Sequence, residues 1–182
     1  MKTGTGKLTE DEVRLRLAQI VESSNDAIIS TTLDGVVESW NAAAEKLFGY
    51  TPNEAIGQSI LPLFVPPEYA EEVKRKLNAN AHGQHMGPVD TVRRRKDGAL
   101  VDVSVMGSPI VDNSGKVVGV SINFRDISEH KADEAKISLF RELLDHSNDA
   151  IELLDPATLR FIDVNETECR VLGYSREELL AM

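Results

Sequence analysis

A single cysteine, Cys169, stands in a chain of 182 residues, which excludes an internal disulfide framework and a cysteine-based metal cluster. It lies in an apolar-periodic stretch and reads as a small core residue. No apolar run approaches the roughly 18 residues of a membrane-spanning helix, and the opening MKTGTGKLTEDE lacks the apolar segment of a signal peptide. These absences predict a cytoplasmic segment without membrane contact. Positive charge is scarce too. Twenty Lys and Arg against 30 Asp and Glu give a net charge of −10, which argues against a nucleic-acid-binding face. The one basic cluster, Arg93-Arg94-Arg95-Lys96, runs into Asp97-Gly98 and reads as the polar end of a hairpin rather than a phosphate site. Also missing are a Gly-x-Ser-x-Gly elbow, a Walker loop, a His-Glu-x-x-His motif and any cysteine beside a plausible base. The sequence predicts no intrinsic catalysis.

What is present is organised around Ser114 to Lys131, SGKVVGVSINFRDISEHK. After the Ser114-Gly115 turn, Val118, Val120, Ile122 and Phe124 alternate with Gly119, Ser121 and Asn123, the period of two that a half-buried strand needs. Ser128 then reads as the N-cap of a charged helix that leaves the domain. A strand with one face on the core, continued directly into an exit helix, can report a change in that core to whatever follows.

The rest of the chain falls into order around it. Residues 8–22 form a helical pattern capped by Thr9, with Val13, Leu17, Ile20, Val21 and Ser24 on one face. That stripe either seeks a partner helix or covers the domain's own sheet. Strands are expected at 27–32 and 36–40 across the Asp34-Gly35 turn. A brief helix capped by Asn41 and ended by Gly49 follows, then a Thr51-to-Glu54 capping box and a longer helix after Pro66-Pro67. Residues 80–87 read as a polar loop, and three strands at 88–95, 99–108 and 116–125 close the unit. Two hairpins separated by helices predict an α+β fold: five antiparallel strands with short helices on one face, flanked by linker helices at both ends.

The motif Ser24-Asn25-Asp26-Ala27-Ile28 returns as Ser147-Asn148-Asp149-Ala150-Ile151. Asn41 matches Asn165, Gly49-Tyr50 matches Gly173-Tyr174, and one extra residue sits in the turn at Asp155-Pro156-Ala157-Thr158. The chain is a tandem array. Its expected parts are a linker helix (1–22), a complete domain (23–127), a connecting helix (128–146) and the start of a second domain (147–182). That last part carries too few strands to offset its ordering entropy alone, which predicts a piece of a longer array.

Ser24 to Ile28, the run from Trp40 to Tyr50, Arg95-Lys96-Asp97-Gly98, and Gly119 through Ser128 together resemble the PAS sensory-domain family. The resemblance covers residues 20–130 as a whole copy and 144–182 as the start of another. It implies a five-stranded antiparallel sheet, a ligand or cofactor cavity between sheet and helices, and a helix leading to a kinase, cyclic-dinucleotide or transcriptional output. Asp126-Ile127-Ser128 matches the family's signal-exit motif. Flavin-photosensing members carry a reactive cysteine where this chain has Gly57-Gln58-Ser59-Ile60-Leu61-Pro62. Haem-binding members carry a histidine on the long helix, which here reads Glu68-Tyr69-Ala70-Glu71-Glu72-Val73. His82 and His85 fall in the loop beyond it, where a rigid, buried haem approach is not expected. Both cofactor types are disfavoured, non-covalent flavin has no positive support, and the cofactor is left unknown. His130 lacks the acidic and proline pattern that follows a kinase's phospho-accepting histidine.

The resemblance nominates Ile28, Ser30, Trp40, Asn41, Phe48, Val103, Val105, Val120, Ile122 and Phe124 as pocket-lining residues. The bland alternative is a filled core, with Asn41 merely capping its helix. Ile137, Phe140 and Leu144 form an apolar seam on the exit helix that predicts a homodimer. Two functions follow from the residues: a sensory input module that signals through the exit helix to an output or neighbouring PAS domain, or a ligand-free dimerisation module.

Overall fold

A computed structural model describes residues 8–182. The chain forms two compact units, one ending at Ser128 and one spanning Glu129–Met182. In the first, helix α1 (Glu10–Glu22) is followed by β1 (Ala27–Thr31) and β2 (Val37–Trp40). Short helices α2 (Ala42–Phe48), α3 (Pro52–Ala55) and α4 (Ile60–Phe64) come next, then a 3-10 turn at Pro67–Tyr69 and helix α5 (Ala70–Ala81). Strands β3 (Met86–Arg94), β4 (Leu100–Val111) and β5 (Val117–Asp126) complete it. The sheet order is β2-β1-β5-β4-β3, and every neighbouring pair is antiparallel. The helices between the two hairpins carry the chain from one sheet edge to the other, so β5 ends up in the centre.

Local chemistry sets the boundaries. Thr9 caps α1, with Glu12 Oε2 accepting from the Thr9 backbone N–H at 2.8 Å. Gly49 ends α2 at φ 79°, a left-handed conformation that glycine takes without a Cβ clash. Asp112 folds its own turn by accepting from Ser114 N, Ser114 Oγ and Lys116 N, which lowers its carboxyl pKa. The β5 alternation breaks once. Val118 is exposed because Ile110 pairs with Gly119 and Val111 with Val117, leaving Val118 as the extra residue of a bulge. Helix α1 does not cover the sheet: none of its residues is buried, and Leu17 and Ile20 are 57% and 65% exposed.

Trp40, Phe48, Phe64 and Phe124 form the aromatic centre of the core. The Phe48 and Phe64 rings stack at 4.5 Å, and Phe124 meets both edge-on at 5.2 and 5.5 Å. At the rim, Lys96 Nζ donates to Glu54 Oε1 at 2.5 Å. That bond, seconded by Thr51, pulls the Glu54 carboxyl from 4.5 to about 2. A depressed carboxyl stabilises the fold above its ordinary pKa and loses that contribution as pH falls through the folded value. Acid titration is therefore expected to lower the melting midpoint progressively between pH 4.5 and about 2, and Glu54→Gln flattens the slope. An unchanged slope in that variant would contradict the Lys96 pairing.

The second unit holds α6 (Ser128–Asp145) from Glu129 onward, β6 (Glu152–Leu154), β7 (Phe161–Val164), α7 (Glu166–Leu172) and α8 (Arg176–Leu180). Strands β6 and β7 pair antiparallel. The extra residue of this copy falls in a turn where Leu159 takes φ 58° and donates to Asp155 O at 2.8 Å.

Candidate functional site

The inner face of the sheet, α4 and α5 line a partly open cavity of about 40 Å3. Its apolar wall includes Phe64, Val73, Leu77, Val105, Val120, Ile122 and Phe124, and its polar members are Lys76, Asn80 and Arg93. At roughly 10–15 Å3 for each water, it holds about three. Sites for drug-sized ligands and cofactors span about 300–1,000 Å3, and no histidine or cysteine lines this one. The wall therefore offers no histidine to a haem iron and no cysteine to a flavin. His82 and His85 lie outside it, exposed, against Asn78 O and Ser108 Oγ.

Of the ten residues nominated from sequence, Val105, Val120, Ile122 and Phe124 line this cavity. Trp40, Phe48 and Val103 are buried in the packed core beside it. Ile28 and Ser30 are corrections. Ala27, Ile29 and Thr31 are the buried members of β1, so Ile28 and Ser30 point to the opposite face, where Ser30 Oγ meets Ser39 Oγ at 2.7 Å. Strand β1 has apolar residues at successive positions, and its polarity alone could not choose the face. Asn41 is also no wall residue. It is 2% exposed and fully occupied: Oδ1 accepts from Ile28 N and Ala44 N, and Nδ2 donates to Val21 O and Asp26 O. One amide thus ties the end of α1, the start of β1 and the start of α2. Asn165 repeats the arrangement with Ile151 N, Glu168 N, Leu144 O and Asp149 O, tying the end of α6 to the following strand and helix within the second unit.

The polar members of the cavity escaped the sequence reading. Helix α5 runs through Ala81, so Asn80, expected in a loop, continues the Val73, Leu77 stripe at a spacing of three. That spacing is the signal that could have found it. Arg93 sits in the basic run, yet it is 4% exposed because β3 turns Thr91 and Arg93 inward. The run is divided among four destinations, and Arg93 lies in the core rather than at a hairpin's polar end. Arg94 donates to Pro62 O, Arg95 to Asp126, and Lys96 to Glu54. Burial pulls the Arg93 pKa from 12.5 down to about 10, so it stays charged at neutral pH.

The exit lies at the end of the strand that lines the cavity. Ile127 N donates to Asp102 O, and Asp126 Oδ1 accepts from Ser128 N at 2.9 Å. Ser128 is the first helical residue of α6 rather than its cap; the capping oxygen belongs to Asp126, two residues earlier. Arg125 pairs with Asp26 through two hydrogen bonds of 3.2 and 3.0 Å, which raises its pKa. Asp26 O is held by Asn41, so the entry from α1 and the end of β5 share one end of the sheet. Ile137, Phe140 and Leu144 border a hollow of the second unit with Ile151, Leu153 and Val164. Among the described residues no helix is long and apolar enough to cross a membrane.

Comparison with known proteins agrees with this architecture. A PAS fold model matches residues 15–127 and a PAS domain model matches residues 138–181. Phytochrome D of Arabidopsis thaliana is 26% identical over 123 residues, covering 65% of this chain and 11% of that protein. Sensor protein FixL of Bradyrhizobium diazoefficiens is 24% identical over 175 residues, covering 94% of this chain and 34% of that protein. The chain spans about a third or less of the length of these curated relatives. Among solved structures, the PAS domain of a protein from Colwellia psychrerythraea is 28% identical with a TM-score of 0.59, covering 64% of this chain and 98% of that one. With a whole sheet in one unit and a repeated opening in the next, the chain belongs to the PAS family.

Proposed function

We propose that this chain is a sensory input module without catalysis of its own. The state of the cavity in its first PAS unit biases helix α6 and, through it, a neighbouring PAS domain or an output such as a histidine kinase. One observation carries the reading: β5 places Val120, Ile122 and Phe124 in the cavity wall, and its last residue, Asp126, caps α6 with only Ile127 between strand and helix. A shift of that wall has a short, hydrogen-bonded route to the helix. Signalling further requires that an occupant bind two arrangements of the exit with unequal affinity. Sensor kinases among the relatives, including the histidine-protein kinase AtoS of Escherichia coli, support this class of role.

The test is Val120→Phe, which fills the cavity without a ligand, in the chain placed ahead of a reporter histidine kinase. Autophosphorylation is expected to change by about fivefold or more, the size of an ordinary coupling of ~1–3 kcal/mol. Unchanged output from a folded variant would leave the second reading, a ligand-free dimerisation module. The exposed Val13, Leu17 and Ile20 stripe of α1 favours that alternative, since an uncovered apolar helix face suits pairing with a second copy.

A further inference from the structure

We infer that Arg93 and Asn80 form a recognition point for a small 2-hydroxy carboxylate of two to four carbons. Both side chains are more than nine-tenths buried, at 4% and 3% exposure, and both line the cavity of the first unit. Each keeps one polar atom without a hydrogen-bond partner, and the two atoms are of opposite kind. Arg93 Nε is a free donor; Asn80 Oδ1 is a free acceptor. The Asn80 orientation is fixed by its Nδ2, which donates to Lys76 O at 2.9 Å. Native interiors rarely leave such groups unmatched, because each costs its full desolvation.

A trapped water satisfies both atoms but supplies no negative charge. The guanidinium needs one. Its hydrogen bonds go to neutral groups, Thr91 Oγ1 at 3.1 Å and Val92 O at 2.8 Å. Glu72 is engaged with Lys76 and acts on Arg93 only at longer range. An anion on Arg93 neutralises a charge that the fold has removed from water. A hydroxyl on the neighbouring carbon gives Asn80 Oδ1 its donor. The apolar remainder of the wall and the space of about 40 Å3 limit the ligand to a few carbons and disfavour a fully hydrated phosphate. Gly107 leaves room for the amide, since an added Cβ there would meet Asn80 Nδ2 at 2.9 Å.

This inference rests on the sensory reading of the same cavity, and the two fail separately. The first unit's unfolding midpoint is followed by Trp40 fluorescence in the 182-residue chain with lactate, propionate, 1,2-propanediol or inorganic phosphate at millimolar concentration. Lactate is expected to raise the midpoint by about 4 °C. Propionate raises it less, and the diol and phosphate leave it unchanged. Arg93→Met abolishes the lactate shift; should that variant not fold, Asn80→Leu erases the difference between lactate and propionate instead. No lactate shift, an equal shift with the diol, or a lactate shift surviving Arg93→Met overturns the site. If lactate binds through Arg93 but reporter output does not move, the site stands and the sensory reading falls. If Val120→Phe alters output while no carboxylate binds, the reverse holds.

Discussion

Asn41→Ala is expected to lower the unfolding free energy of the first unit by about 2–6 kcal/mol, at roughly 0.5–1.5 kcal/mol for each hydrogen bond removed. The side chain uses all its capacity, two N–H donors and two acceptor directions, on four backbone groups. Alanine strands Ile28 N, Ala44 N, Val21 O and Asp26 O together, in a place where water reaches poorly because Asn41 is 2% exposed. Asn41→Asp separates this account from simple loss of volume. The carboxylate keeps the two acceptor bonds but turns negative charge on two carbonyl oxygens, so it should cost as much as alanine despite its matching shape. Trp40 is the chain's only tryptophan and belongs to the first unit, so urea unfolding followed by its fluorescence reads that unit alone. A loss below about 1 kcal/mol would mean that the four bonds are replaced by others on relaxation. Asn165→Ala, which disrupts the repeated knot, is expected to leave the Trp40 transition unmoved.

Arg93→Met is expected to act in the opposite direction, stabilising the ligand-free first unit by about 1–2 kcal/mol, because a buried charge is exchanged for an apolar side chain of similar length. The sign follows from its pKa. Burial holds Arg93 near 10, below its ordinary 12.5. A base with a depressed folded pKa opposes folding while it is charged, and relief comes as pH rises through the folded value. At neutral pH the full penalty is present, so its removal registers there; above pH 10 the advantage of the variant shrinks. Two hydrogen bonds to Thr91 and Val92 are lost with the guanidinium, which keeps the gain modest. A destabilisation of the same size would show that Arg93 is structurally compensated and would remove the reason for an anionic occupant.

Both residues illustrate what sequence can and cannot carry. Turn chemistry was fully readable: Asp34-Gly35, Asp97-Gly98 and Asp112 to Gly115 mark the three hairpin turns, and the sheet follows from their order. The role of Asn41 as a cap was readable from its place before Ala42, but its three further bonds join segments up to 20 residues away, beyond any local pattern. The wall of the cavity was half legible. Strand β5 alternates from Val120 onward, with Val120, Ile122 and Phe124 buried, whereas the bulge at Val118 depends on pairing with β4. The inward turn of Thr91 and Arg93 was hidden because β3 inverts the usual rule, with polar residues inside and Val92 between them. A charged side chain in a run of four suggests a solvated surface, and only the sheet register puts Arg93 opposite Val101.

The central claim is that the wall of the cavity and the start of the exit helix move as one piece. Backbone amide hydrogen exchange at residues 127–131, measured in the parent chain and in Val120→Phe, tests it most directly. If strand and helix are coupled, filling the cavity changes protection of those amides by about tenfold, a shift of roughly 1.4 kcal/mol in local opening. Exchange there that matches the parent chain while the amides of residues 119–124 respond to the new ring would show the helix to be uncoupled from the pocket.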